Sequence, residues 1–263
     1  MWFTPRINMI RGNQSQPILA VIPARMGSTR FPGKPLAQLH GLSMIEHVFR
    51  RAKLCPQLDE VYVATCDAEI RTAAEAFGAN VIMTSATHER ATDRVAEAAE
   101  HLDAEIIVMI QGDEPMITPA MIETALAPIC SDPTIACINL VHRIASQQEF
   151  IDPNTIKVVT DLAGRALYFS RSPIPNIRFE HTAAKVFKQV CVIPFRRDCL
   201  REFARLPLMP LEIAESIDML RLLEHGRTVH VVETSVNTHA VDTPEDLQAV
   251  ELLMTNDELM QRY

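Results

Sequence analysis

Three short stretches carry side chains suited to act together on an anionic substrate. The first, "LAVIPARMGSTRFPGKPLAQL" at 19–39, begins as an apolar strand. It then places Arg25, Arg30 and Lys34 in a loop with Gly27, Gly33 and two prolines. Glycine lets backbone N–H groups approach a phosphate, and guanidinium and ammonium groups neutralise it. Taken alone, the loop reads either as such a cradle or as a solvated turn. The second stretch, "QGDEP" at 111–115, ends an apolar run and at once presents Asp113 and Glu114. Carboxylates beside a cationic loop make sense when a divalent metal bridges them to phosphate oxygens. The third, "AVDTPEDL" at 240–247, puts Asp242 just ahead of a helix opened by Pro244. Glu245 and Asp246 fall in the first helical turn, where they complement the helix dipole. Asp242 is either a cap or a ligand.

Spacing separates the loop from two common phosphate binders. A Walker A loop has four residues between its glycines and a Ser or Thr after the Lys. Here Gly27 and Gly33 enclose "STRFP", and Pro35 follows Lys34. No G-x-G-x-x-G occurs either, so an ordinary ATPase and a dinucleotide oxidoreductase are disfavoured.

The elements that must position these groups alternate through the first half. Strands are expected at 18–23, 60–65, 80–83 and 105–111. Between them fall helices at 43–53, capped by Ser43, at 67–78, closed by Gly78, and at 92–102, opened by Thr92 or Asp93. Continuous apolar strands alternating with helices imply βαβ crossovers and a parallel sheet, with ligands at the carboxyl ends of its strands. After about residue 133 the strand-like segments "TIACINL", "TIKVVTD", "RALYFS" and "VFKQVCVIPF" crowd together, as in an antiparallel insertion. Two helices follow, "RDCLREFARL" and "EIAESIDMLRLLEHG". The strand "TVHVVET" then returns to the first layout, ahead of the last helix. The expected organisation is a flexible extension over 1–16, then a single α/β domain over 17–263 with a β-rich insertion at about 135–225.

The 263 residues carry a net charge of -8, which argues against a nucleic-acid footprint. No apolar run reaches the roughly 18 residues of a membrane span, and the N-terminus lacks a secretory apolar centre. Six cysteines show no C-x-x-C pair, and the nine histidines show no metal spacing. Buried reduced thiols in a soluble cytoplasmic protein are expected. The basic stretches "VFRRAK" and "RRDCLREFAR" read as solvated faces. Met44, Met109, Met116, Met121 and Met219 read as core filler, and His181 as structural.

Five motifs in this order resemble the sugar-acid cytidylyltransferases, and within them the CMP-Kdo synthetases (3-deoxy-manno-octulosonate cytidylyltransferases). They are "IPARMGSTRFPGKPL" at 22–36, "TDRVAEA" at 92–98, "IQGDEPMI" at 110–117, "ALYFSRSPIP" at 166–175 and "VDTPEDL" at 241–247. The similarity runs from about Ile18 to the last helix. "QGDEP" separates this group from the sialic-acid synthetases, which share a related first loop. The resemblance implies a Rossmann-like nucleotidyltransferase fold, a mixed and mostly parallel sheet flanked by helices, with an inserted β-rich dimerisation part. It implies a homodimer, with CTP and a 2-keto sugar acid as substrates and no nucleic acid or membrane as partner. The products would be CMP-sugar acid and pyrophosphate, feeding lipopolysaccharide synthesis if the acid is Kdo. It further implies that Ala24, Arg25, Ser28, Lys34 and Arg94 bind the nucleotide, and that Arg25, Lys34 and Asp113 serve catalysis. Asp113 and Asp242 would carry Mg²⁺, and Gln111, Arg171, Gln189 and Asp218 would face the acid.

The chain departs from the family pattern in places. Arg90-Ala91 stand where the family has Ser-Gly before "TDR". "KQVCVIPFR" at 188–196 stands for "KHIGIYAYR", and "IDMLR" at 217–221 for "LEQLR". Gln189, Ile193, Phe195 and Met219 thus replace a His, two tyrosines and a Gln, groups suited to a polyhydroxylated sugar. Three readings follow: Kdo with altered contacts, a related and less hydroxylated acid, or a CTP-binding paralogue with weak turnover. A nucleotidyltransferase for a phosphorylated acceptor is a further alternative, with Arg90, Arg178 and Lys185 as its extra cations.

Overall fold

A computed structural model describes residues 17–27, 30–176 and 185–263. The extension 1–16, Ser28, Arg178 and His181 lie outside the described residues.

The chain opens with β1 (Ile18–Ala24), a small hairpin of β2 (Gln38–Leu39) and β3 (Leu42–Ser43), and α1 (Met44–Lys53). Then come β4 (Glu60–Thr65), α2 (Ala68–Ala76), β5 (Asn80–Met83), α3 (Ala91–Glu100), β6 (Ile106–Ile110) and α4 (Pro119–Ser131). The second half holds β7 (Ile138–Arg143), α5 (Gln147–Ile151), β8 (Lys157–Thr160), β9 (Ala166–Ser170), β10 (Phe187–Val190) and β11 (Val192–Arg196). It ends with α6 (Arg197–Arg205), α7 (Pro210–Glu215), α8 (Met219–Glu224), β12 (His230–Thr234) and α9 (Pro244–Met254).

Two five-stranded sheets result. The first has the order β11-β6-β1-β4-β5 and is parallel except where β11 pairs antiparallel with β6. Its central strands β6, β1 and β4 are largely apolar on both faces because both faces are covered. Ala20 and Ile22 pack with Ile45, Val48 and Phe49 of α1 and with α4, while Leu19 and Val21 pack with Val95, Ala98 and Ala99 of α3. Fully burying one such Val, Leu or Ile contributes about 1.5–3 kcal/mol, so this doubly covered sheet is a rigid platform. The second sheet has the order β12-β7-β10-β8-β9 and is antiparallel except for the β12–β7 pair.

Four expectations change. The run "VFKQVCVIPF" is two strands rather than one: it bends at Cys191, leaving β10 in the second sheet and sending β11 to the edge of the first. Pro194 is tolerated there because an edge strand has one unpaired side. "TVHVVET" does not return to the first layout, since β12 lies beside β7 in the second sheet. The helix expected over 212–226 breaks at Ser216, whose φ of 56° is left-handed. Tertiary bonds override the helical period there: the Glu215 carboxylate accepts from the Ser170 hydroxyl at 2.7 Å and the Arg171 N–H at 2.9 Å. Finally, Arg51 is buried rather than solvated; it donates to the Tyr263 hydroxyl at 2.9 Å and pairs with Asp257.

Met44, Met109, Met121 and Met219 are buried as expected, and all six cysteines are free. Among the described residues no helix is long and apolar enough to cross a membrane.

Candidate active site

At the carboxyl ends of β1 and β6 lies an open cavity of about 1190 Å³. Gly112 turns the chain there so closely that a Cβ would stand 3.1 Å from the Pro23 carbonyl, a contact that a larger residue could relieve only by shifting backbone. After β1, Gly33, at φ 72°, donates its N–H to the Met26 carbonyl at 3.2 Å, which brings the chain at 30–34 back beside the end of the strand. This delivers Lys34 to the cavity floor.

Lys34 Nζ donates to Asp113 Oδ2 at 2.7 Å, to the Val241 carbonyl at 2.8 Å and to Asp242 Oδ1 at 3.4 Å. Burial pulls its pKa down, but pairing with Asp113 and then Asp242 outweighs burial and holds the ammonium above its ordinary value. Asp242 also accepts from Arg30 Nη2 at 2.9 Å. Its carboxylate is not the helix cap. Thr243 and Asp246 form a reciprocal capping box on α9, and Asp246 also accepts from the Asp242 N–H at 3.0 Å. That leaves the Asp242 carboxylate to Arg30 and to Lys34, the cation it shares with Asp113.

The second oxygen of Asp113, Oδ1, is buried with no hydrogen-bond partner among the described residues. A buried acceptor left unmet costs about 1–3 kcal/mol, which a cation would offset. Two converging carboxylates suit Mg²⁺, which is usually held by one or two carboxylates together with substrate phosphates. No cluster of three or more His, Cys, Asp or Glu side chains with metal-holding geometry occurs among the described residues.

Ala24, the exposed Arg25 and the buried Arg94 line the cavity. Arg94 donates to the Thr84 hydroxyl and to the Ser85 and His88 carbonyls at 3.3 and 3.4 Å, so it shapes the 84–88 loop. Gln111, Arg171, Gln189 and Asp218 line the same cavity. Arg171 donates to the carbonyls of Glu215 at 2.8 Å, Pro153 at 3.1 Å and Ser216 at 3.4 Å. Gln189 Nε2 donates to Asn139 Oδ1 at 2.6 Å, and the fully buried Asn139 passes its own amide protons to the Leu140 and Val190 carbonyls. Asp218 Oδ2 accepts from the Thr92 N–H at 3.0 Å and the Thr92 hydroxyl at 2.8 Å. The first turn of α3, expected to be opened by Thr92 or Asp93, therefore starts at Ala91 and is capped from a distant segment.

Of the departures, Arg90, Ala91, Gln189, Ile193, Asp218 and Met219 line the cavity. Phe195 does not belong with them. It is fully buried opposite Ile107, toward the amino end of β6, so the missing tyrosine hydroxyl there faces core rather than ligand. Lys185 pairs with Glu233 at 3.2 Å outside the cavity lining.

Three groups that received no site assignment from the sequence also reach the cavity, Glu114 among them although it was named beside Asp113 as a candidate metal-bridging carboxylate. Arg30 was visible only as one of the loop cations. Lys188 sits in an apolar strand, a signal in itself, and donates to the Thr238 carbonyl at 3.0 Å while pairing with Glu149. Glu114 is buried, accepts from the Thr238 hydroxyl at 2.9 Å, and is held up at about 7 by burial and by the neighbouring Asp113 charge. Cys191 is pushed well above the ordinary thiol range by burial and then by Glu114 and Asp113, so it stays protonated and is no nucleophile.

The family model for cytidylyltransferases matches residues 19–255. Curated relatives named 3-deoxy-manno-octulosonate cytidylyltransferase include one from Geobacter metallireducens, 49% identical over 243 residues and covering 89% of this chain and 96% of its own length. Another, from Solibacter usitatus, is 49% identical over 236 residues, covering 90% and 94%. A solved CMP:2-keto-3-deoxy-manno-octonic acid synthetase complexed with CTP superposes with a TM-score of 0.85 at 42% identity, covering 92% of this chain and 99% of that one. A 4-diphosphocytidyl-2C-methyl-D-erythritol synthase from Anaerococcus prevotii shares the fold, with a TM-score of 0.61 at 14% identity over 92% of this chain and 97% of that one.

Proposed function

Since the chain belongs to the family of 3-deoxy-manno-octulosonate cytidylyltransferases, we propose that it transfers the cytidylyl group of CTP to Kdo, a 2-keto sugar acid, and releases pyrophosphate. The observation that carries this reading is the convergence of Asp113 and Asp242 on Lys34, beside the loop cations and an unmet oxygen of Asp113.

In this reading Arg25, Ser28 and Lys34, with the main chain after Ala24, receive the triphosphate, and Arg94 fixes the loop on the nucleotide side. Gln111, Arg171, Gln189 and Asp218 face the acid. Asp113 and Asp242 would hold Mg²⁺, which when bound neutralises phosphate charge and lowers the pKa of a nearby hydroxyl. The anomeric oxygen of the acid attacks the α-phosphorus in line as the bond to the bridging oxygen of pyrophosphate breaks. The hydroxyl proton passes to solvent in the same step, and pyrophosphate leaves with the electron pair of the broken bond. The chain's share is positioning and charge neutralisation, because phosphoryl-type transfer asks little covalent work of the protein. Lys34 contributes a fixed positive charge, kept so by its two carboxylate partners. A homodimer working in the cytoplasm belongs to the same proposal.

The test is pyrophosphate release across a panel of nucleotides and 2-keto sugar acids. CTP with Kdo is expected to give one pyrophosphate per CTP consumed, with the other nucleotides far slower. Silence with every 2-keto sugar acid in the panel defeats the reading.

A further inference from the structure

The departures Arg90-Ala91 and Asp218-Met219 meet in space. Arg90 Nη1 donates to the Ser216 hydroxyl across 126 residues of chain, and Asp218 returns the contact across the same span by accepting both Thr92 protons. The first turn of α3 is therefore stitched twice to the break between α7 and α8.

That break needs holding. Ser216 sits at φ 56°, ψ 48°, a left-handed conformation that costs a residue with a Cβ about 1–2 kcal/mol. Such a conformation persists where the surroundings over-determine it. Two guanidiniums do so here, with Arg90 on the Ser216 hydroxyl and Arg171 on its carbonyl at 3.4 Å. Arg90 is itself steered from behind, since its Nε lies 3.9 Å from the fully buried carboxylate of Glu212. Glu212 is anchored in turn by Arg221, which also binds Asp93 of α3 at 2.7 Å. Ser216 and the three residues after it, Ile217, Asp218 and Met219, line the cavity.

We infer that Arg90 is a positioning residue for the acid acceptor, acting through the Ser216 hydroxyl to hold the cavity wall formed by 216–219. The inference rests on the proposed cytidylyl transfer and extends it to a side chain that Ser-Gly at this position would not supply. The nucleotide side depends on Arg94, one turn further along α3, and on the loop that Arg94 fixes. Arg90 therefore governs the acceptor selectively.

Arg90→Ala, Arg90→Lys, Ser216→Ala and the double variant test it by steady-state kinetics in both substrates. Losing a charge-assisted bond that orients the wall is expected to raise KM for Kdo about tenfold in Arg90→Ala, with KM for CTP moving by less than about twofold. Ser216→Ala is expected to match it, Arg90→Lys to recover part of the loss, and the double variant to add nothing further. Equal shifts in both KM values, or an unchanged Ser216→Ala, overturn the inference. Hydrogen exchange over 216–219 in the ligand-free protein needs no turnover and separates the two ideas. Faster exchange in Arg90→Ala supports the stitch even if wild-type protein proves inactive on Kdo, and unchanged exchange overturns it.

Discussion

Replacing Asp113 with asparagine is expected to lower Mg²⁺-dependent pyrophosphate release by roughly two to three orders of magnitude while the protein stays folded. A carboxylate that helps carry a divalent cation contributes several kcal/mol of transition-state charge stabilisation, and each 1.4 kcal/mol is about tenfold in rate. Asparagine keeps the size and one acceptor oxygen but not the charge. The fold should tolerate it, because Lys34 keeps the Val241 carbonyl at 2.8 Å and Asp242 at 3.4 Å, and because the Asp113 carbonyl still accepts from the Val241 N–H at 2.9 Å. Rate against Mg²⁺ concentration, beside a melting curve, checks this. Unchanged Mg²⁺-dependent turnover would remove the metal role from Asp113.

The second large effect concerns Glu114, next in sequence. Its carboxyl is raised from an ordinary 4.5 to about 7, first by burial and then by the Asp113 charge; the Thr238 hydroxyl, the Cys191 backbone and Lys188 pull the other way. Between about pH 4.5 and 7 the folded state therefore binds more protons than the unfolded state. The contribution of Glu114 to stability is full below about 4.5 and falls as pH rises through that window, then levels off above it. A shift of this size corresponds to on the order of 3 kcal/mol. Glu114→Gln, which keeps a side-chain oxygen for Thr238 and cannot ionise, is expected to lack this fall. In metal-free buffer its urea midpoint should match wild type near about pH 4 and exceed it near about pH 8. Parallel pH profiles would contradict the assignment. Asp113→Asn removes the second cause of the shift, so in that background the advantage of glutamine should shrink.

The platform of the site was legible in the residues. β1, β4 and β6 are continuous apolar runs because both faces of their sheet are covered, and the loops after β1 and β6 carry the charges that reach the cavity. Every described residue assigned to the site from sequence lines that one cavity. What sequence could not supply was tertiary. The bend at Cys191 sends two halves of one strand-like run into different sheets, and which sheet each half joins is decided by partners distant in sequence, β7 and β8 for one half and β6 for the other. The break at Ser216 sits inside a good helical pattern and exists because Arg90, Arg171 and Glu215 bind across it. Phe195 was misread for a related reason. Ile193 pairs with Met109 near the carboxyl end of β6, and Phe195, one pleat further on, pairs with Ile107 and leaves the site. The freedom of Asp242 was legible in principle: Thr243 and Asp246 stand three apart, as in a capping box, which relieves Asp242 of that task.

Cytidylyl transfer to Kdo can be followed by phosphorus NMR of the protein with CTP, Kdo and Mg²⁺. The triphosphate signals are expected to decay while pyrophosphate and a single new phosphodiester rise together in equal amounts. Conversion of CTP to CDP and phosphate, or triphosphate signals that persist unchanged, would contradict it.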